Sequence, residues 1–282
     1  MLRLAFFGDI VGEIGRRAFL SGALRVREEH GVHLVVVNAE NARNGSGLHP
    51  EGYREIRGVD RRSGRALGAD ALTMGDHVFA DTRVKAFLED PAEPILRPAN
   101  LSVLAPGKRS VRLCGDTKWP PIVVVTVLGR LFMKLPADDP FAALDRELSL
   151  IAETDPDALV VVEVHAEATS EKQALAWHCT RKWAGRVVAV VGTHTHVPTA
   201  DARLLDGAVA AITDLGMCGP RTSILGREVD LVLKAMTTQY MTNLDVATGD
   251  PAAQGVVVTI DPERRRAVEI VPVQYGRASD EG

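Results

Sequence analysis

Five short apolar runs in this 282-residue chain each end in side chains that bind metal ions or transfer protons. Continuous Val, Leu and Ile residues are typical of parallel strands that are buried on both faces. In open α/β sheets, ligands bind beyond the carboxyl ends of such strands. The polar endings are Gly8-Asp9, Asn38-Ala39-Glu40-Asn41, Gly75-Asp76-His77, His165-Ala166-Glu167 and Gly192-Thr193-His194-Thr195-His196. Their recurrence predicts a site for a metal-dependent hydrolase.

The strongest local motif is His194-Thr195-His196. Residues two apart in an extended segment project to the same side, so both imidazoles can face one crevice. Neutral imidazoles suit first-row transition metals. Each residue also has an ordinary interpretation: the two histidines could be turn residues, Asp9 could cap a helix, and His165 could be a core histidine. Their joint occurrence at strand ends favours the metal site.

The composition is that of an ordinary globular protein, with 46% hydrophobic and 25% charged residues. A net charge of −4 gives no electrostatic basis for binding duplex nucleic acid or a membrane surface. The chain contains no apolar stretch near the roughly 18 residues of a membrane span. Cys114, Cys179 and Cys218 show no CxxC spacing, so neither a zinc knuckle nor a disulfide framework is indicated. We expect a cytoplasmic protein that acts on a small molecule.

The elements that must position these side chains alternate at the start of the chain. Apolar residues at helical spacing predict a helix over residues 13–29 that stops at Gly31, and the second strand ends near Asn38. Further helices are predicted over residues 50–67 and 82–88. This βαβαβ order predicts a parallel sheet with right-handed crossovers.

The rest of the chain adds strands of both pairing types. Strands are predicted at residues 110–113, 122–128, 159–164, 187–191, 208–213, 255–260 and 267–273, and helices at residues 141–153 and 170–183. A turn near residues 115–121, a loop over residues 130–139 and a type I turn at residues 261–264 connect them. Ser170 is expected to be the N-cap of its helix. We expect one α/β domain over residues 1–275, with two sheets packed face to face inside helical layers, and a frayed tail at residues 276–282.

The polar blocks, in this order, resemble the binuclear metallophosphoesterases of the calcineurin-like superfamily, and more closely the bacterial YmdB-like phosphodiesterases. The closer resemblance rests on residues 38–41 (Asn-Ala-Glu-Asn), 165–172 (His-Ala-Glu-Ala-Thr-Ser-Glu-Lys), 192–201 (Gly-Thr-His-Thr-His-Val-Pro-Thr-Ala-Asp) and 213–220 (Thr-Asp-Leu-Gly-Met-Cys-Gly-Pro). It implies a four-layer αββα sandwich of two mixed sheets. It also implies a site with two metal ions, iron or manganese, and hydrolysis of phosphodiesters, with 2′,3′-cyclic nucleotides as the favoured substrates.

Carried over by position, the resemblance implies that Glu40 bridges the two metal ions. The remaining ligands fall into two shells, one of Asp9, Asn41 and His196 and the other of Asp76, His165 and His194. His77 is implied to be the acid that protonates the leaving oxygen. Two metals can lower the pKa of a bridging water and clamp both oxygens of an in-line displacement, so the expected nucleophile is a metal-bridging hydroxide.

Two positions depart from the superfamily pattern. The usual Asp-x-His opening is here Asp9-Ile10-Val11, so the histidine ligand is missing. Asn41 is expected to occupy that coordination position. The usual Gly-Asn-His block is here Gly75-Asp76-His77, so a neutral amide ligand becomes a carboxylate. When Asp76 is included, the positive charge of two divalent ions is balanced by the negative charge of the site carboxylates and a hydroxide. We therefore expect tighter binding of the second metal and weaker attraction of anionic phosphate.

Other functions stay open at the level of sequence. The same metals would serve a general phosphomonoesterase or protein phosphatase, and a regulatory protein could bind nucleotide or metal with little turnover. A homo-oligomer is expected for a compact metallohydrolase. Glu167, Ser170 and Lys172, just after His165, are expected to orient the metal ligands.

Overall fold

The structure, a computed structural model, describes residues 1–58, 67–113, 119–240 and 243–276. In chain order, the strands of these residues are β1 (Leu2–Phe7), β2 (Asp9–Ile10), β3 (Leu34–Asn38), β4 (Ala71–Thr73), β5 (Ile95–Leu96), β6 (Ser110–Leu113), β7 (Ile122–Leu128), β8 (Leu159–His165), β9 (Val187–Thr193), β10 (Arg203–Leu205), β11 (Val209–Ile212), β12 (Met217–Pro220), β13 (Pro251–Asp261) and β14 (Arg266–Gly276). The helices are α1 (Gly12–His30), α2 (Pro50–Arg57), α3 (Lys85–Glu89), α4 (Pro140–Thr154), α5 (Thr169–Lys182) and α6 (Val229–Thr238), and a 3₁₀ turn, Thr82–Val84, precedes α3.

Two mixed sheets contain these strands. The first has the order β2-β12-β13-β1-β3-β4-β5, with β14 on the other side of β13. Its β1, β3, β4 and β5 are parallel, which confirms the predicted βαβαβ opening. The second has the order β10-β11-β9-β8-β7-β6, in which the four central strands are parallel and the two edge strands are antiparallel.

The strands are apolar on both faces because each sheet lies between the other sheet and a helical layer. Along β1, Leu4 and Phe6 pack in the cluster between the two sheets, while Phe7 packs with Phe19 of α1. Along β8, Val161 faces the other sheet, and the residues beside it in sequence belong to a cluster that includes side chains of α4 and α5. This alternation confirms the predicted four-layer αββα arrangement.

Two predicted helices differ from the observed ones. The helix that was predicted over residues 50–67 ends at Arg57, because Gly58 adopts a left-handed φ of 51° and its N–H bonds to the Arg54 carbonyl. Residues 59–66 lie outside the described part of the chain. The prediction that Ser170 caps α5 is wrong: the helix begins at Thr169 after Ala168, whose carbonyl accepts the N–H groups of residues 171 and 172.

The C-terminal hairpin is longer than its sequence pattern suggested. Gly276, which was assigned to the frayed tail, is the last residue of β14 and pairs with Ala252. Residues 277–282 and the turn residues 115–118 lie outside the described residues, as does Cys114. The sequence interpretation missed α6 and four short strands, β2, β5, β10 and β12. Among the described helices, none combines the length and apolar character that a membrane crossing requires.

Candidate metal centre

The polar strand endings meet at one edge of the two packed sheets. Asp9 begins β2, one residue beyond the end of β1, and Glu40 follows β3. Asp76 follows β4, His165 is the last residue of β8, and His194 follows β9. The first sheet thus contributes the three carboxylates and the second sheet contributes the two imidazoles.

Four of these side chains form a tight group, which we call the four-residue cluster: Glu40, Asp76, His165 and His194. One ligating atom from each lies within 4.8 Å of the others. The central atom is Nε2 of His165, which lies 3.3 Å from Glu40 Oε1, 3.2 Å from Asp76 Oδ1 and 3.1 Å from His194 Nδ1. Two carboxylates and two imidazoles form a donor set that suits a first-row transition metal.

Asn41, His77 and His196 form a second set of polar side chains next to Glu40. The Asn41 amide donates to Glu40 Oε1 at 3.1 Å and lies 3.2 Å from His196 Nε2. The Asn41 carbonyl oxygen is 2.8 Å from His77 Nδ1, and the His77 backbone N–H donates to Glu40 Oε2 at 3.0 Å. Glu40 is therefore the member of the four-residue cluster that also contacts this second set of polar side chains.

Asp9 has a buried carboxylate, and only one of its two oxygens accepts a hydrogen bond from the described residues. Its Oδ2 accepts the backbone N–H of His194 at 3.1 Å. Its Oδ1, 3.8 Å from His165 Nδ1, has no hydrogen-bond partner among the described residues. Burial raises the pKa of Asp9 to about 6, against the opposing effect of His196 and His165. A nearby cation would compensate for this unpartnered oxygen.

Gly75 preserves open space inside the centre. A methyl group at this position would overlap Glu40 Oε2 and His165 Nε2, so any larger residue would fill the gap between two members of the four-residue cluster. This gap, the donor set and the unpartnered oxygen of Asp9 together match the requirements of a bound cation. The described residues therefore fit the metal ions that the sequence predicts.

The ionisable groups of the cluster shift one another's pKa values. Burial alone would lower the pKa of His165, but the carboxylates of Glu40 and Asp76 outweigh it and hold that pKa well above the ordinary value. Burial and the neighbouring His165 lower the pKa of His194 to about 4, so this imidazole is neutral. The hydrogen bond with Glu40 raises the pKa of His77, whose side chain is 42% exposed.

The loop that carries His194 and His196 is held in an unusual backbone conformation. These residues have φ angles of 97° and 64°, a region that residues other than glycine adopt only where the surroundings enforce it. The buried carboxylate of Asp214 accepts the backbone N–H of Thr195 at 3.1 Å, its hydroxyl at 2.8 Å and the Lys172 ammonium at 2.7 Å. This buried ion pair anchors the loop between the two histidines.

The three residues that were expected to orient the ligands have different environments. Glu167 Oε2 lies 3.3 Å from His194 Nε2, and Lys172 acts on the loop through Asp214. Ser170 is exposed in the first turn of α5. Sequence reasoning gave no role to the four buried polar residues behind the centre, which are Asn38, Glu163, Thr193 and Asp214. An acid within an otherwise apolar strand, as at Glu163, was the available signal, because buried acids are almost always paired.

A pocket of about 340 Å³ opens in front of the centre. This volume lies within the usual range of small-ligand sites. The lining residues are Val11, Glu40, Asn41, Gly45, His77, Glu167, His194, Thr195, His196, Leu225 and Arg227. The pocket thus combines members of the centre, an apolar wall and one guanidinium.

Comparison with known proteins places the chain among phosphoesterases. The family model described as "YmdB-like protein" matches residues 5–273. The chain is 36% identical to the 2′,3′-cyclic-nucleotide 2′-phosphodiesterase of Bacillus subtilis (strain 168), over 95% of each chain. Two crystal structures share the fold with a TM-score of 0.84. One, a hypothetical protein from Thermus thermophilus, is 38% identical and matches 98% of this chain and 99% of its own. The other, a novel phosphatase from Mycoplasma pneumoniae, is 27% identical and matches 98% and 93%.

Proposed function

Because the chain belongs to the YmdB-like protein family, we propose that it is a metal-dependent phosphodiesterase that hydrolyses 2′,3′-cyclic nucleotides. Its similarity to the Bacillus subtilis enzyme supports both the reaction and the substrate class. The single observation that carries the proposal is the four-residue cluster, which joins carboxylates and imidazoles from two sheets within 4.8 Å. An arrangement of this kind is costly to assemble unless a cation is bound there.

We assign the two metal ions to two sets of ligands that share Glu40. Asp76, His165 and His194 would hold one ion, and Asp9, Asn41 and His196 the other, with Glu40 shared. Carboxylates and imidazoles suit iron or manganese. When bound, the two ions supply Lewis acidity and a lowered pKa for bound water.

His77 is assigned as the proton donor to the leaving oxygen. Its Nδ1 is engaged with the Asn41 carbonyl oxygen at 2.8 Å, which leaves Nε2 as the ring nitrogen for the substrate. The imidazole lines the pocket and is 42% exposed, so a substrate oxygen can reach it. A proton on Nε2 would pass to the ribose oxygen as its bond to phosphorus breaks.

The apolar part of the pocket lining suits the nucleoside part of the substrate. Leu225 and Val11 are apolar, and Leu225 is half exposed. The Arg227 guanidinium donates to the backbone carbonyls of Asn44, Gly45 and Leu244. It thus fixes the segment that follows Asn41 and places one positive charge beside an otherwise acidic pocket.

The proposal is tested by turnover after loading the purified protein with Mn²⁺ or Fe²⁺. We expect 2′,3′-cyclic nucleotides and bis-p-nitrophenyl phosphate to be hydrolysed faster than p-nitrophenyl phosphate, and His77→Ala to reduce turnover about 100-fold or more without loss of metal. His33→Ala, far from the pocket, serves as the control. Faster hydrolysis of p-nitrophenyl phosphate would favour a general phosphomonoesterase. Retention of nucleotide without hydrolysis would favour a regulatory binding protein.

A further inference from the structure

A further carboxylate, Glu163, lies buried behind the four-residue cluster, two residues before His165 on β8. Its Oε1 accepts the Asn38 amide at 2.9 Å and the Thr193 hydroxyl at 2.8 Å. Its Oε2 accepts the Thr126 hydroxyl at 2.7 Å. All three partners are neutral donors, two from the neighbouring strands β7 and β9 and one from β3 of the other sheet. Burial of an acid whose partners are all neutral is costly.

The orientation of the Asn38 amide is determined by the backbone. Its carbonyl oxygen accepts the N–H of Glu40 at 3.0 Å, so its NH₂ group must face Glu163. The same nitrogen lies 3.3 Å from His165 Nδ1, farther than the Thr193 hydroxyl at 2.9 Å. The hydroxyl is therefore the closer partner of that ring nitrogen.

The Thr193 hydroxyl has a single proton, and this fact determines the direction of the chain of hydrogen bonds. Because the hydroxyl donates to Glu163, it can only accept from His165 Nδ1. His165 then carries its proton on Nδ1. Nε2, which faces Glu40, Asp76 and His194, is then the nitrogen left for a metal ion, which would displace the proton that the two carboxylates favour there in the metal-free protein.

His194 is oriented the opposite way. Its Nδ1 faces the cluster, 3.1 Å from His165 Nε2 and 3.6 Å from Asp76 Oδ1. Its Nε2 lies 3.3 Å from Glu167 Oε2, so the imidazole proton belongs on Nε2. The inner nitrogen is again free of a proton.

We propose that Glu163 and Thr193 form a relay that fixes the Nδ1–H tautomer of His165, while Glu167 fixes the opposite tautomer of His194. In this arrangement the unprotonated nitrogen of each imidazole faces the gap beside Gly75. Glu163 and Thr193 are positioning residues, since they act on the metal through His165. This inference rests on the proposed function, because it presumes that a metal ion occupies the cluster.

The test compares two isosteric substitutions, each of which removes one of the two threonine hydroxyls that donate to Glu163. Thr193→Val breaks the relay, whereas Thr126→Val removes the other hydroxyl, 2.7 Å from the same carboxylate, and leaves His165 untouched. Both threonines are fully buried, so we expect similar losses of Tm. Only Thr193→Val should raise the Kd for Mn²⁺, by about 10–100-fold, and Thr193→Ser should stay within about threefold of the wild type. Equal Kd values for the two valine variants would overturn the relay.

Nitrogen NMR of isotopically labelled histidines in the Zn²⁺-loaded wild-type protein tests the tautomers without any substitution. We expect the proton of His165 on Nδ1 and that of His194 on Nε2. A His165 proton on Nε2, or the same tautomer for both, would contradict the inference even if Thr193→Val failed to fold. A wild-type protein that binds neither Mn²⁺ nor Zn²⁺ would instead refute the proposed function together with the relay. Metal binding that Thr193→Val leaves unchanged would refute the relay alone.

Discussion

The two halves of the proposed metal centre are built in different ways. In the four-residue cluster, the ligating atoms already lie within 4.8 Å of one another, and the outer nitrogen of each imidazole has a partner. In the other half, Asp9 has an oxygen without a partner among the described residues. The Asn41 amide there is shared between Glu40 and His196.

This difference indicates that the cluster is preorganised and that the second half is completed by its ion. Preorganised ligands lose less free energy on binding, because their conformations are already restricted. We therefore expect the cluster to bind the first metal ion more tightly, and the half around Asp9 to bind the second more weakly. Three substitutions test this comparison.

Gly75→Ala should have the largest effect, because its methyl group would fill the gap between Glu40 and His165. Both halves share Glu40, so we expect both ions to be lost and turnover to fall roughly 1000-fold or more. Metal content and hydrolysis of bis-p-nitrophenyl phosphate measure the effect. Gly249→Ala, where an added methyl meets no atom within 4 Å, is the matched control. Full metal content in Gly75→Ala would contradict the assigned position of the ions.

His196→Ala should separate the halves. The cluster does not include His196, so the variant should still bind the first Mn²⁺ ion, while the second is lost and turnover falls about 100-fold. Calorimetric titration with Mn²⁺ gives the stoichiometry. His178→Ala, which removes an imidazole paired with Asp145 away from the centre, should bind both ions normally. Loss of both ions in His196→Ala would show that the halves are not independent.

Asp76→Asn should have the smallest effect and restores the amide that is usual in the superfamily. Loss of one negative charge should raise the Kd for the ion in the cluster by about tenfold, and it should lower the KM for an anionic phosphodiester. Asp70→Asn is the control, since Asp70 pairs with Arg27 at the opposite end of β4. Unchanged values of both Kd and KM would show that this carboxylate does not set the charge of the centre.

Local patterns predicted the elements well where one signal dominated. The apolar positions of α1 and the glycine after it predicted a helix that ends at Gly31, which has a left-handed φ of 60°. The prediction for α2 ran past Gly58, although glycine is the residue that most often ends a helix in this conformation. At α5 the preference of serine for an N-cap was misleading, because the helix begins one residue before Ser170, which therefore lies in the first turn and faces solvent.

The polar strand endings predicted which side chains would gather, but they gave no information on the residues behind them. Asn38 and Glu163 are 125 positions apart and form a buried hydrogen bond across the two sheets. Thr193 directly precedes a histidine that the resemblance assigned to a metal ion, but nothing in its local sequence indicated its bond to Glu163. Contacts of this kind depend on the register and packing of two sheets, which no local spacing encodes.

The sequence by itself determined the buried strands and the edge at which their polar ends emerge, since continuous apolar runs must be covered on both faces and a chain of parallel strands aligns its carboxyl ends. Only the tertiary structure decided how those ends meet. The position of His165 Nε2, 3.1 to 3.3 Å from groups that follow three other strands, results from the packing of one sheet against the other. The arrangement of the metal centre is thus a property of the interface between the sheets.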